Sequence, residues 1–120
     1  MAPPAPVQPG VTLVPADVDD HPRVQRALRH RTDVCTWTTP DGSALLVLGR
    51  GVAGRWEASI EVDPAARGRG LGAALAAAAP ALLPKPAPLW AQVAPANVAS
   101  LRAFLAAGWR PVAGEVLFGS

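Results

Sequence analysis

The sequence predicts a mixed α/β domain: a central, mostly antiparallel sheet with flanking helices. Three observations carry this reading. Stretches of two-residue alternation interleave with stretches of helical spacing, in the order strand, helix, three strands, helix, strand, helix, two strands. The three consecutive strands are joined by turns short enough for antiparallel pairing, whereas the strand–helix–strand unit over residues 56–93 has parallel character. Finally, 120 residues, half of them apolar, make one domain with a modest core.

Residues 1–10 are rich in proline and read as a flexible, extended tail, leaving 11–120 as the domain. A short strand at 11–14 leads to Pro15 and Asp17, which open a helical segment to about residue 30 with Val18, Val24, Ala27 and Leu28 on its apolar side. Residues 32–38 are β-branched and aromatic, and 43–48 form the returning strand. Pro40-Asp41-Gly42 turns the chain between them, because proline presets φ and glycine accepts a positive φ. After a second turn region at 49–54, the next strand alternates cleanly: Trp56, Ala58, Ile60 and Val62 face one side, and Glu57, Ser59, Glu61 and Asp63 the other. A helix over about 70–79 is ended or kinked by Pro80. Residues 89–93 are a strand. Residues 97–107 are a helix with Val98, Leu101, Phe104 and Leu105 as its apolar stripe, stopped by Gly108. Strands at 109–112 and 115–118 close the chain around Gly114.

Charge narrows the function more by its distribution than by its sum. A net charge of +2 leaves no global footprint for nucleic acid. Between Pro64 and Gly114, however, there is no Asp or Glu, while Arg67, Arg69, Lys85, Arg102 and Arg110 all lie there. That half of the chain suits an anion. The single cysteine, Cys35, allows no internal disulfide or Cys-based metal site and reads as a small apolar strand residue. The longest apolar run, 71–83, is too short for a membrane span and contains Pro80. The N-terminus has no basic region followed by an apolar run, so a cytoplasmic location is expected, with no membrane or nucleic-acid partner.

The segment that carries chemistry is Val62-Asp63-Pro64-Ala65-Ala66-Arg67-Gly68-Arg69-Gly70-Leu71-Gly72, a strand exit followed by a glycine-rich loop and a helix start. Backbone N–H groups at such a place lack intrahelical partners and have the positive end of the helix dipole behind them, which suits a pyrophosphate. Gly68 to Ala73 fits the dinucleotide pattern G-x-G-x-x-A, but that pattern expects an acid about 20 residues on, and none occurs before Glu115. A Walker A motif is excluded because no Gly-Lys-Ser/Thr follows.

Arg67 to Gly72 resembles the Q/R-x-x-G-x-G/A acyl-CoA loop of the GNAT superfamily of acetyl-CoA-dependent N-acetyltransferases, and Val62-Asp63-Pro64 resembles that family's strand exit. Downstream, Asn97-Val98-Ala99-Ser100-Leu101-Arg102-Ala103-Phe104-Leu105-Ala106-Ala107-Gly108-Trp109 is similar to its second signature, N-x-x-S-x-x-x-Y-x-x-x-G-F, and the C-terminal half is especially similar to the FR-type subgroup. The resemblance implies a GNAT-like fold and acetyl-CoA as cosubstrate, with no metal. It implies that the strand ending at Val62 splays from the strand at 89–93, so that pantetheine lies in the gap. The pyrophosphate then rests on the N–H groups of about Arg67 to Ala73. A small-molecule or peptide amine attacks the thioester directly, and a backbone N–H near Val62 stabilises the developing oxyanion.

On this reading Val62, Arg67, Gly68, Arg69, Gly70, Gly72, Ala73, Asn97, Ser100 and Phe104 contact the cofactor. Gly70 and Gly72 also read as turn glycines, Arg67 and Arg69 as solvated charges, and Asn97 as a helix cap. Glu57 and Glu61, on the polar face of the flanking strand, are the candidate general bases, against a plain solvated-face role. Phe104 stands where many relatives carry a general-acid Tyr, and the chain has no Tyr at all. The alternative is therefore a GNAT-like CoA-binding module with weak or no catalysis. The short helical segment before the second strand leaves the acceptor side open or completed by a second subunit, as in a homodimer.

Overall fold

The computed structural model describes residues 7–8, 11–16, 31–92, 98–112 and 115–119. The helix expected at 17–30, with Asp17, Asp19, Asp20, His21 and His30, lies outside the described residues, as does Asn97. The strands are β1 (Val7–Gln8), β2 (Val11–Thr12), β3 (Val14–Pro15), β4 (Thr32–Thr38), β5 (Ala44–Arg50), β6 (Trp56–Val62), β7 (Leu89–Gln92), β8 (Arg110–Val112) and β9 (Glu115–Phe118). Among the described residues the α-helices are α1 (Leu71–Ala78) and α2 (Val98–Ala106). Seven strands form one mixed sheet in the order β3-β4-β5-β6-β7-β9-β8, in which only β6 and β7 run parallel. Two details differ from expectation. Val7–Gln8, placed in the extended tail by the sequence, pairs antiparallel with Val11–Thr12. The strand expected at 11–14 is broken at Leu13, whose side chain is fully buried.

The sheet is built outward from β5. Ala44 to Gly49 are all buried, because both faces of this strand are covered. Ala44, Leu46 and Leu48 join the main core with Ala58 of β6 and with Leu75, Ala76 and Ala78 of α1. Leu45 and Val47 form a smaller cluster with Val34 on the opposite face. Alanine at most positions of α1 lets the helix axis approach the sheet closely. After Ala78 the chain tightens into a 3-10 turn over Ala79–Leu82, since Pro80 has no N–H to continue the helix.

The end of α2 is fixed by a Schellman motif. Gly108 takes φ +92°, its N–H donates to the Leu105 carbonyl at 3.1 Å, and the Trp109 N–H donates to the Phe104 carbonyl at 3.1 Å. The hydrophobic contact that accompanies such a motif is Phe104 against Trp109, edge-on at 4.7 Å between ring centroids. Trp109 is buried and donates its indole N–H to the Ala76 carbonyl at 3.0 Å, which ties the cap of α2 to the last turn of α1.

The hairpin between β4 and β5 turns as the sequence predicts. The Gly42 N–H donates to the Thr39 carbonyl at 2.9 Å, and Gly42 sits at φ +74° with open space where a Cβ would lie. Asp41 Oδ1 accepts the Ser43 N–H at 3.0 Å and the Thr39 hydroxyl at 2.8 Å. These bonds, the Ser43 backbone foremost, hold the Asp41 carboxyl down at about 2 against its ordinary 3.8.

Two outcomes follow for this turn. Gly42→Ala strains the backbone without any clash, so urea unfolding should show a loss of about 1–2 kcal/mol. Because the Asp41 carboxyl is depressed in the folded state, its stabilising effect is present above about pH 4 and fades as pH falls toward about 2. Thermal melts of Asp41→Asn beside the wild-type chain should show a gap in Tm that closes over that window; a gap independent of pH contradicts this account.

Candidate functional site

The parallel pairing of β6 with β7 consists of two residue pairs, Trp56↔Leu89 and Glu57↔Trp90. Beyond them the strands part, so among the described residues the edge of β6 from Ala58 to Val62 has no strand partner on that side, while β5 still pairs along its whole length. The direction of the backbone groups follows from antiparallel alternation. The Asp63 N–H is given to the Ser43 carbonyl at 2.8 Å, toward β5, so the N–H and C=O of Val62 point the other way, into the gap. Arg67 Nε accordingly donates to the Val62 carbonyl at 3.2 Å from the gap side.

The loop after β6 is shaped by two left-handed glycines. Asp63 and Pro64 open a 3-10 turn over Pro64–Ala66, and the chain then passes through Gly68 at φ +83° and Gly70 at φ +74°. Gly70 is the N-cap of α1; its carbonyl accepts the first helical bond from the Ala74 N–H at 3.0 Å, and no side chain caps the helix. The N–H groups of Leu71, Gly72 and Ala73 therefore lack intrahelical partners. Gly72 has a different reason to be glycine. A Cβ there would lie 3.2 Å from the Cβ of Ala103, so Gly72 marks the close approach of α1 to α2.

These parts enclose one cavity of about 670 Å³, within the range of small-molecule sites. Ile60, Glu61 and Val62 form its strand wall. Ala66, Arg67, Gly68 and the stretch from Gly70 to Ala73 form its loop wall. One face of α2, with Ala99, Ser100, Arg102, Ala103 and Phe104, closes the third side. Of the residues predicted for the cofactor, Val62, Arg67, Gly68, Gly70, Gly72, Ala73, Ser100 and Phe104 thus meet at one place. Arg69 is exposed and does not border the cavity. Sequence reasoning missed Arg102 as a cavity residue. Helical spacing did not single it out, since Arg102 stands two residues from both Ser100 and Phe104.

The two candidate bases separate. Glu61 borders the cavity. Glu57 does not border it. Its carboxylate is held by Arg55 Nε at 2.9 Å and Arg31 Nε at 3.1 Å, with only 13% of the side chain exposed. That carboxylate is occupied by two guanidiniums and sits away from the cavity. Arg55 in turn grips Glu115 with both terminal nitrogens. The Glu115 carboxylate, foremost, holds the Arg55 guanidinium more firmly protonated than a free arginine.

Phe104 presents an aromatic ring but no ionisable group to the cavity. The expected apolar stripe of α2 is divided: Phe104 is buried, whereas Val98 and Leu105 are exposed. Among the described residues, no helix is long and apolar enough to cross a membrane.

Comparison with known proteins gives one match. The family model described as acetyltransferase (GNAT) family matches residues 19–109, which is most of the chain and includes β4 to β7, the glycine loop and both helices. No curated protein and no solved structure matches. The match agrees with the mixed seven-stranded sheet and its flanking helices, and the chain belongs to the GNAT acetyltransferase family.

Proposed function

We propose that the chain is an N-acetyltransferase that takes its acetyl group from acetyl-CoA and delivers it to a primary amine while both are bound. One observation carries this reading: a single cavity joins the unpaired edge of β6 to the uncapped glycine loop at the start of α1. An acyl-pantetheine chain and a pyrophosphate need those two features side by side.

The residues present fit the cosubstrate. Gly68 and Gly70 leave open space where side chains would stand, which exposes backbone N–H groups to an anion. Arg67 and Arg102 supply positive charge at the loop and helix walls, and the one acid lining the cavity, Glu61, stands on the strand wall. Bound acetyl-CoA supplies an activated thioester. The strand edge from Ala58 to Val62 orients the pantetheine arm as an added strand would be oriented. The Val62 N–H, turned into the gap, donates to the carbonyl oxygen where negative charge grows. Glu61, at the strand wall, accepts the proton that the ammonium must lose before the free amine attacks. Phe104 offers no proton to the departing thiolate; a thiol is a good enough leaving group to depart without one.

A panel of amines assayed for free thiol release from acetyl-CoA tests the activity. Release with at least one primary amine is expected. Acetyl-CoA binding with no release from any amine would favour the second reading, a silent CoA-binding module, which Phe104 motivates. In calorimetry, Gly70→Asp should weaken acetyl-CoA binding at least about tenfold, because it strains a left-handed position and sets a negative charge in the anion site. Glu61→Gln should lower kcat by about 10² or more with little change in cofactor affinity. A full rate with an unchanged pH profile in Glu61→Gln would refute the base assignment.

A further inference from the structure

We propose that Arg55 is a positioning residue for the cofactor slot, a clasp that holds β6 against β7 and β9 at the point where their pairing ends. The proposal rests on the reading of the β6–β7 gap as the acyl-CoA slot. Two parallel residue pairs alone are a weak hinge for a gap that a ligand must enter. The side chains around that hinge reinforce it on the face of the sheet opposite the helices. Glu57 and Trp90 are cross-strand partners, as are Trp90 and Leu117, and Glu115 lies two residues before Leu117 on the same face.

Arg55 reaches all three strands from that face. Its Nε meets Glu57 of β6 at 2.9 Å, and its guanidinium carbon stands 4.9 Å from the ring centroid of Trp90 of β7. Both terminal nitrogens engage the Glu115 carboxylate of β9, a bidentate pairing with directional as well as electrostatic hold. Arg31 steadies the other oxygen of Glu57 at 3.1 Å and bonds the Ser59 hydroxyl at 3.1 Å, farther along β6. The backbone makes room for the arrangement. A Cβ at Gly51 would fall 2.4–2.6 Å from the carboxylate atoms of Glu57, so any side chain there would push that carboxylate off its arginine partners. Side-chain exposures of 24% for Arg55, 13% for Glu57 and 22% for Glu115 shield the network from salt more than a surface pair would be. Glu57, a candidate base by sequence, thus acts through β6 and not on the reacting atoms.

The experiment compares Arg55→Met, Glu115→Gln and the remote turn variant Gly42→Ala in the full chain. Glu115→Gln keeps the shape and an acceptor oxygen, so it serves if Arg55→Met fails to fold. Calorimetry with CoA, steady-state kinetics with acetyl-CoA, and amide hydrogen exchange are measured on each. The clasp predicts that both network variants raise the Kd for CoA and the KM for acetyl-CoA about tenfold, with kcat at saturating cofactor held within about twofold. It also predicts faster exchange at the amides of Ala58 and Ala91 but not at those of Leu46 and Leu48. Gly42→Ala should lower stability without either change. Equal shifts in Gly42→Ala, or unchanged exchange at Ala58 and Ala91 in both network variants, would overturn the proposal. If the wild-type chain binds no CoA, the acyl-CoA reading itself fails. The exchange pattern then decides the clasp: localised speeding upholds it and uniform speeding overturns it.

Discussion

Between β6 and β7 the parallel pairing stops after Glu57↔Trp90, and among the described residues the backbone of β6 beyond that point has no strand partner on that side. A sheet interior ordinarily satisfies its N–H and C=O groups along the whole length of each strand. Here β5 continues to pair with β6 as far as Val62 while β7 does not, so one row of polar groups is left facing a cavity. Arg67 reaches back to take the Val62 carbonyl. The other features of the site are arranged around this break: the loop leaves from the open end of β6, and the network of Arg55, Glu57 and Glu115 sits at its closed end.

The cavity needs a third wall, and side-chain size provides it. Alanines on α1 and the bare Gly72 let α1 lie close to both the sheet and Ala103 of α2. Trp109 then joins the two helices through its bond to the Ala76 carbonyl and its contact with Phe104. The Schellman motif at Gly108 sets where α2 stops, and so where Phe104 points its ring. Packing energy and site geometry are thus carried by the same residues, and a larger side chain at Gly72 would move the cavity wall before it touched any ligand.

Much of this was legible in the sequence because it depends on local chemistry. The alternation from Trp56 to Val62, the Pro40-Asp41-Gly42 turn and the stop at Gly108 each follow from backbone preferences of a few consecutive residues, and each is found where those preferences put it. The glycine loop was legible for the same reason: φ is positive at Gly68 and Gly70, as a tight loop requires. What escaped depends on long-range contact. No local pattern tells Glu57 from Glu61, two identical residues on one strand face. Arg55 stands two residues before the first, but only the fold brings Arg31 to it and the cavity to the second. The split role of the two glycines is similar, since Gly72 answers to Ala103, distant in sequence. The apolar stripe of α2 misled in part because Val98 and Leu105 have the right spacing but no core beneath them.

The central claim is that the slot opened beside β6 takes an acyl-CoA. Titrating CoA into isotope-labelled protein and following backbone amide shifts tests it most directly. The account predicts the largest saturable shifts along Ile60–Val62, from Arg67 to Ala73 and on the Ala99–Phe104 face, with the β4–β5 turn silent. Saturable shifts centred elsewhere on the sheet, or none at millimolar CoA, would contradict it.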